Sequence, residues 1–141
     1  MKLSALKINA TAVEEGAWVD NIPELGGIRL KVRGHGNAHY RRLQSRLIEA
    51  TPRSQRQRGS VDSDVMDQIT NKCLAQTVLL DWDGLLDDND QPIPFSAEAA
   101  LAYLSDPSLR PFRDGVAFAA AIVAQTEEEG AKDDAGNSPS A

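Results

Sequence analysis

Val78-Leu79-Leu80-Asp81-Trp82-Asp83-Gly84-Leu85-Leu86-Asp87-Asp88-Asn89-Asp90-Gln91-Pro92-Ile93-Pro94-Phe95-Ser96 concentrates more specific residue choices than any other stretch of the chain. An apolar run leads into Trp82, and a dense acidic turn over 83–91 follows. Two prolines then space an extended piece, and Ser96 offers its hydroxyl as a helix N-cap. The stretch reads as a hinge between two helical segments. Trp82 and Phe95 are expected to close the core on either side of it, with Asp83 and Gly84 as part of the same signature. The five aspartates Asp81, Asp83, Asp87, Asp88 and Asp90 raise the question of calcium. A calcium-binding EF-hand loop needs oxygen ligands at positions 1, 3 and 5, glycine at 6 and glutamate at 12. Counting from Asp81 puts Leu85 at position 5, Leu86 at 6 and Pro92 at 12, and counting from Asp83 puts Leu85 at 3. Neither register works, so the aspartates read as a solvated turn.

Helical periodicity flanks the hinge. Val61, Val65, Ile69 and Cys73 recur every four residues, with Met66 and Leu74 widening the stripe, so a helix is expected over about 62–77. Beyond Ser96, Leu101 and Leu104 share one face of a short helix that ends at Asp106-Pro107. Ser108 is the expected cap of a last helix carrying Leu109, Phe112, Val116, Ala120 and Val123 on one side. Residues 129–141 contain no large hydrophobe and read as a disordered acidic tail.

Strand patterns come before all of this. Leu6, Ile8 and Ala10 alternate with Lys7, Asn9 and Thr11, and Ala17-Trp18-Val19 suggests a second short strand. Ile28, Leu30 and Val32 alternate with Arg29, Lys31 and Arg33, giving one apolar and one cationic face. Asn37 is a good N-cap for a helix to about 50, with Tyr40, Leu43, Leu47 and Ala50 on one face and Arg41, Arg42 and Arg46 on others. Residues 52–60 hold no hydrophobe and read as a solvated basic loop. The fold class is therefore α+β, a small N-terminal antiparallel β-sheet followed by a mainly helical region. It is expected as one domain over 1–128, with strands in 1–34 and helices in 37–128.

Composition bounds the function. At 141 residues with 41% hydrophobic and only 5% aromatic content, the core should be thin and built on helix packing. Net charge is −6, yet 29–58 carries nine Lys/Arg against the single acid Glu49. Nucleic-acid binding would need stacking aromatics or a groove-reading element beside that charge, and only Tyr40 is near, so it is disfavoured. A surface for an acidic protein partner, or internal balance against the acidic half, fits better. Cys73 stands alone, excluding an intrachain disulfide, and reads as a small buried hydrophobe. His35 and His39 straddle a helix start, which spoils a metal register. Gly34-His35-Gly36 lacks the third glycine of a dinucleotide fingerprint. No catalytic constellation, metal site or cofactor is expected. No segment reads as a signal peptide or approaches the ~20 apolar residues of a membrane span.

Several stretches together resemble the tail assembly chaperones of long-tailed phages. The carrying residues are Gly16-Ala17-Trp18-Val19, Ile28-Arg29-Leu30-Lys31-Val32-Arg33 with Asn37 and Tyr40, and 78–85 with the acidic turn, Pro92-Ile93-Pro94-Phe95-Ser96 and Ala99-Ala100-Leu101. The resemblance covers most of 16–125, with Trp18, Trp82, Asp83, Gly84 and Phe95 as its signature positions. It implies a non-enzymatic protein that binds the tape measure protein, keeps its apolar surfaces from aggregating and helps bring the tail tube protein to it. It further implies the host cytoplasm as location and absence from the finished virion.

On that reading the expected partner surface draws on Arg29, Lys31, Arg33, Arg41 and Arg42 for charge. Leu109, Phe112 and Val116 offer an apolar stripe that suits helix-in-groove contact, beside its first role as core. Trp18, Trp82 and Phe95 are expected as core anchors. Self-association is expected. The rival readings are a structural tail or head–tail connector protein and a nucleic-acid-binding regulator using 29–58.

Overall fold

Asn9 sets the first element. Its side chain accepts a hydrogen bond from the Ala12 amide at 3.2 Å and starts helix α1 (Ala10–Glu15). The computed structural model that shows this describes residues 1–125, so the tail expected at 129–141 lies outside the described residues, while the last helix, expected to run to 128, ends at Val123 with Ala124 as its C-cap. The strand expected from the alternation of Leu6, Ile8 and Ala10 is not formed. A 3-10 turn (Leu3–Leu6) and α1 stand there instead, because a local cap outweighs a short period-2 pattern with no strand to pair with.

The sheet has three strands: β1 (Ala17–Val19), β2 (Arg29–Val32) and, from far along the chain, β5 (Leu79–Asp83). Their order is β1-β2-β5, every pairing antiparallel. Leu30 lies opposite Trp82 and Lys31 opposite Asp81, while Val32 pairs with Leu79, so Leu80 is the extra residue of a bulge. The hinge expected at Trp82 is therefore a strand. Val78, Leu79 and Trp82 are buried, and β2 exposes a ladder that an apolar run of this length can satisfy. The α+β class itself is observed, with the third strand drawn from the middle of the chain.

Between β2 and β5 lie α2 (Ala38–Glu49), a small hairpin of β3 (Arg56–Gln57) and β4 (Ser60–Val61), and α3 (Ser63–Cys73), which runs into a π-helical turn (Leu74–Val78). The hairpin replaces the open loop expected at 52–60. Arg58 and Gly59 both take positive φ, as tight two-residue hairpin turns require. The Arg56 guanidinium donates to the Ile48 and Thr51 carbonyls, placing a cation at the C-terminal end of α2.

After β5 come α4 (Ala97–Ser105) and α5 (Arg110–Val123). Ser96 caps α4 as expected, accepting from the Ala99 amide at 3.0 Å. Asp106 rather than Ser108 caps the turn before α5. Its carboxylate accepts from the Ser108 amide and hydroxyl, and these bonds hold its pKa below the usual carboxylate value. Helix α5 covers the sheet's inner face with Phe112, Gly115, Val116, Ala119, Ala120 and Val123. A satellite core of Leu43, Ile69 and Cys73 joins α2 to α3.

Candidate functional site

Trp82 anchors the site. Its ring meets Phe95, Tyr103 and Phe112 with centroids 4.9, 5.7 and 6.0 Å away. Its indole Nε1 donates to the Ile93 carbonyl at 2.7 Å. That bond ties down an arm over 85–93 that is closed on itself. The Ile93 amide donates to the Leu85 carbonyl at 2.9 Å, and Leu86 bridges Pro92. Inside the turn, one Asp87 oxygen accepts from the Asn89 amide at 2.8 Å and the Gln91 amide at 3.0 Å. The acidic turn is thus a built loop organised by Asp87, with Asp88 and Asp90 exposed beside it. Gly84, at φ 83°, starts the arm with its α-carbon against the Gly27 carbonyl, where a Cβ would sit 2.8 Å from that oxygen.

Between this arm, the 25–28 turn and the start of α5 runs an apolar groove of about 460 Å³. Leu25, Ile28, Ile93, Tyr103 and Phe112 line it, Leu86 and Leu109 stand at its edges, and Asp87 and Asp88 complete its wall. Leu86 is 50% exposed and Leu109 37% exposed. The groove thus sets exposed leucines directly beside two carboxylates.

The residues expected to form a partner surface fall in three places. Leu109 and Phe112 reach the groove, whereas Val116 is fully buried in the core and is not accessible. Arg29 sits over the Trp18 ring, 5.0 Å from its centroid, and pairs with Asp83 at 3.8 Å. Lys31 lies opposite Asp81 in the ladder. Arg33 is spent on the backbone, donating to the Glu14 carbonyl at 2.8 Å and toward the Thr77 carbonyl at 3.4 Å. Arg29 and Arg33 are thus engaged within the chain, by Asp83 and by backbone carbonyls, while Lys31 has no carboxylate within 4.0 Å among the described residues. Arg41, Arg42 and Arg46 are exposed on α2 and have no carboxylate within 4.0 Å among the described residues. Trp18, expected in the core, is 40% exposed on the sheet's outer face, because Val19 takes the inward position of β1. Trp82 is buried in the core as expected, whereas Phe95, also expected as a core anchor, is only partly buried and packs edge-on against the Trp82 ring.

Sequence reasoning did not find Leu86, Leu25 or Tyr103 as site residues. A signal existed for Leu86, a large apolar side chain placed directly before Asp87-Asp88. It also missed a polar junction. The Glu14 carboxylate accepts from the Ala38 amide at 3.0 and 3.1 Å, and buried Asn37 accepts from the Tyr40 amide while donating to Gly34 and Thr77 carbonyls. This junction joins α1, β2, α2 and the π-helical turn.

Elsewhere burial favours the neutral forms of Cys73 and Tyr40. Burial pushes the Cys73 thiol up, and desolvation also raises Tyr40 beside it. Cys73 is fully buried in the satellite core, the setting of a packed thiol. Among the described residues no three His, Cys, Asp or Glu side chains gather in a way that could hold a metal ion, and no helix is long and apolar enough to cross a membrane.

Fold and groove together define a small α+β domain with an apolar groove beside an acidic turn. The chain belongs to the YdaY prophage protein family, whose model matches residues 35–137, and it is phage-derived. No curated protein and no solved structure matches it.

Proposed function

We propose that this phage protein is a tail assembly chaperone that shelters an apolar segment of the tape measure protein in the groove between Leu86 and Leu109. The observation that carries the reading is the groove itself, whose apolar floor opens to solvent between two leucines. A helical client lays anchors three and four residues apart into such a surface, and the carboxylates of Asp87 and Asp88 favour basic residues on its flanks. The prophage family supports a phage context and no more specific role. The resemblance carried by the 78–101 segment supplies the identity of the client. The protein acts in the host cytoplasm and leaves the tail before completion.

The test is co-expression with the tape measure protein of the same phage. The client is expected to stay soluble and to co-purify with the wild-type chain. It should aggregate when alone or with a Leu86→Asp/Leu109→Asp variant whose circular dichroism and unfolding midpoint match wild type. Client solubility that is the same with and without the chaperone overturns the proposal. So does recovery of the chain in many copies from purified virions, which would make it a structural tail component.

A further inference from the structure

A second exposed apolar feature lies at the other end of the chain's order. Met1, Leu3, Leu6 and Ile8 are 102, 78, 64 and 57% exposed, so four large apolar side chains within nine residues have no cover. Single exposed hydrophobes are ordinary on a small protein, whereas four at positions 1, 3, 6 and 8 put uncovered apolar surface repeatedly on one short segment. The 3-10 turn Leu3–Leu6 places its first and last leucines one turn apart, where side chains eclipse on one side. Residues 1–9 also contain Lys2 and Lys7 and no acid. Segment and groove are therefore opposites in charge and alike in polarity: leucines with lysines on one, an apolar floor with Asp87 and Asp88 on the other.

We propose that residues 1–9 of one copy dock into the groove of a second copy. Leucines of the arm cover the floor between Leu86 and Leu109, and its lysines meet the acidic turn. Reciprocal exchange uses both grooves and both arms and closes a two-fold dimer, whereas one-way exchange would leave an open chain. The contact depends on arm and groove only and stands independently of which client the groove serves. A client entering the same groove has to displace the arm.

The experiment uses the full chain in sedimentation velocity over a range of concentrations. Two variants separate the halves of the contact. Leu3→Asp/Leu6→Asp alters only the uncovered arm, and Leu86→Asp alters only the groove's edge. Wild type is expected to dimerise, and each variant alone to dimerise at least about tenfold more weakly. An equal mixture should recover association beyond either variant alone, because one chain supplies an intact groove and the other an intact arm. Raising salt from about 0.05 M to about 0.5 M should weaken the dimer severalfold. A chain that is monomeric at every concentration overturns the proposal, including the case in which each arm folds onto its own groove. So does a dimer insensitive to both variants, a mixture that gains nothing, or a salt-independent dimer. These readouts contain no client, so a failure here is distinct from a failure of the chaperone assay.

Discussion

Asn37 satisfies three backbone groups with one side chain. Its Oδ1 accepts from the Tyr40 amide at 2.9 Å, and its Nδ2 donates to the Gly34 carbonyl at 2.9 Å and toward the Thr77 carbonyl at 3.4 Å. At an exposed N-cap, aspartate serves about as well as asparagine. At this fully buried position it would set a carboxylate against two carbonyl oxygens. Asn37→Asp is therefore expected to destabilise at least as much as Asn37→Ala, by about 2 kcal/mol or more, read as a lower urea midpoint at unchanged slope. Wild-type stability in the aspartate variant would show that only the cap matters. The cap was legible in the sequence because it spans three residues. The bond to Thr77 spans 40 and left no local trace. Trp82 poses a parallel case. Trp82→Phe retains a ring against Phe95, Tyr103 and Phe112 but removes the donor to the Ile93 carbonyl. A loss of about 1–2 kcal/mol is expected, against about 3–5 kcal/mol for Trp82→Ala. The phenylalanine variant should also be cut faster by protease within 85–93 while the rest of the chain resists. Equal resistance there would mean that the Asp87 turn alone holds the arm.

The elements show where local pattern stops being informative. The alternation of residues 28–33 was enough to place β2 and its two faces, because charge and burial alternate together. The alternation of residues 6–10 was equally regular and formed no strand, since nothing pairs with it. Val78-Leu79-Leu80 leads from a π-helical turn directly into β5, and without an intervening turn signal the run reads as the end of a helix. Alternation in Ala17-Trp18-Val19 likewise fixes that two faces differ but not which one meets α5. In α5 the predicted stripe holds at Phe112, Val116, Ala120 and Val123, while Leu109 leaves the core for the groove's edge. Gly115 was not part of that stripe, yet it is where the helix lies closest to the 20–28 loop. A Cβ there would fall 2.4 Å from Leu25 Cδ1 and 3.2 Å from Ile22 Cγ2. Helix propensity alone favours Gly115→Ala by about 1 kcal/mol. Overpacking against buried Leu25 and Ile22 outweighs it, so a net loss of about 1–3 kcal/mol is expected. Leu25→Ala removes the obstructing atoms. The double variant should therefore cost less than the two single changes combined, with a coupling of at least about 0.5 kcal/mol. Additive losses would place the strain elsewhere in the helix.

At the scale of the whole molecule, the family match and the fold divide the chain differently. The match begins at residue 35, just after β2. The sheet does not respect that boundary: Leu30 pairs with Trp82 and Val32 with Leu79, so the matched region contributes one strand and the residues before it contribute two. The core crosses the boundary as well. Val13, Val19, Ile22, Leu25, Leu30 and Val32 are all buried, and most of them pack with Val78, Leu79, Trp82 and α5. Covering six such side chains contributes on the order of 10 kcal/mol, comparable with the entire stability of a domain this size. The groove depends on them too, since Leu25 and Ile28 form one wall. A fragment of residues 35–125 should therefore lose the cooperative thermal transition of the full chain and bind an apolar dye, although α2 and α3 can still pair through Leu43, Ile69 and Cys73. Supplying residues 1–34 as a separate peptide should restore a transition, because β1 and β2 can add to β5 without a covalent link. A fragment that unfolds cooperatively near the full chain's midpoint would mean that residues 1–34 decorate a core complete without them, and that the acid-rimmed groove is an addition to the fold instead of a consequence of it.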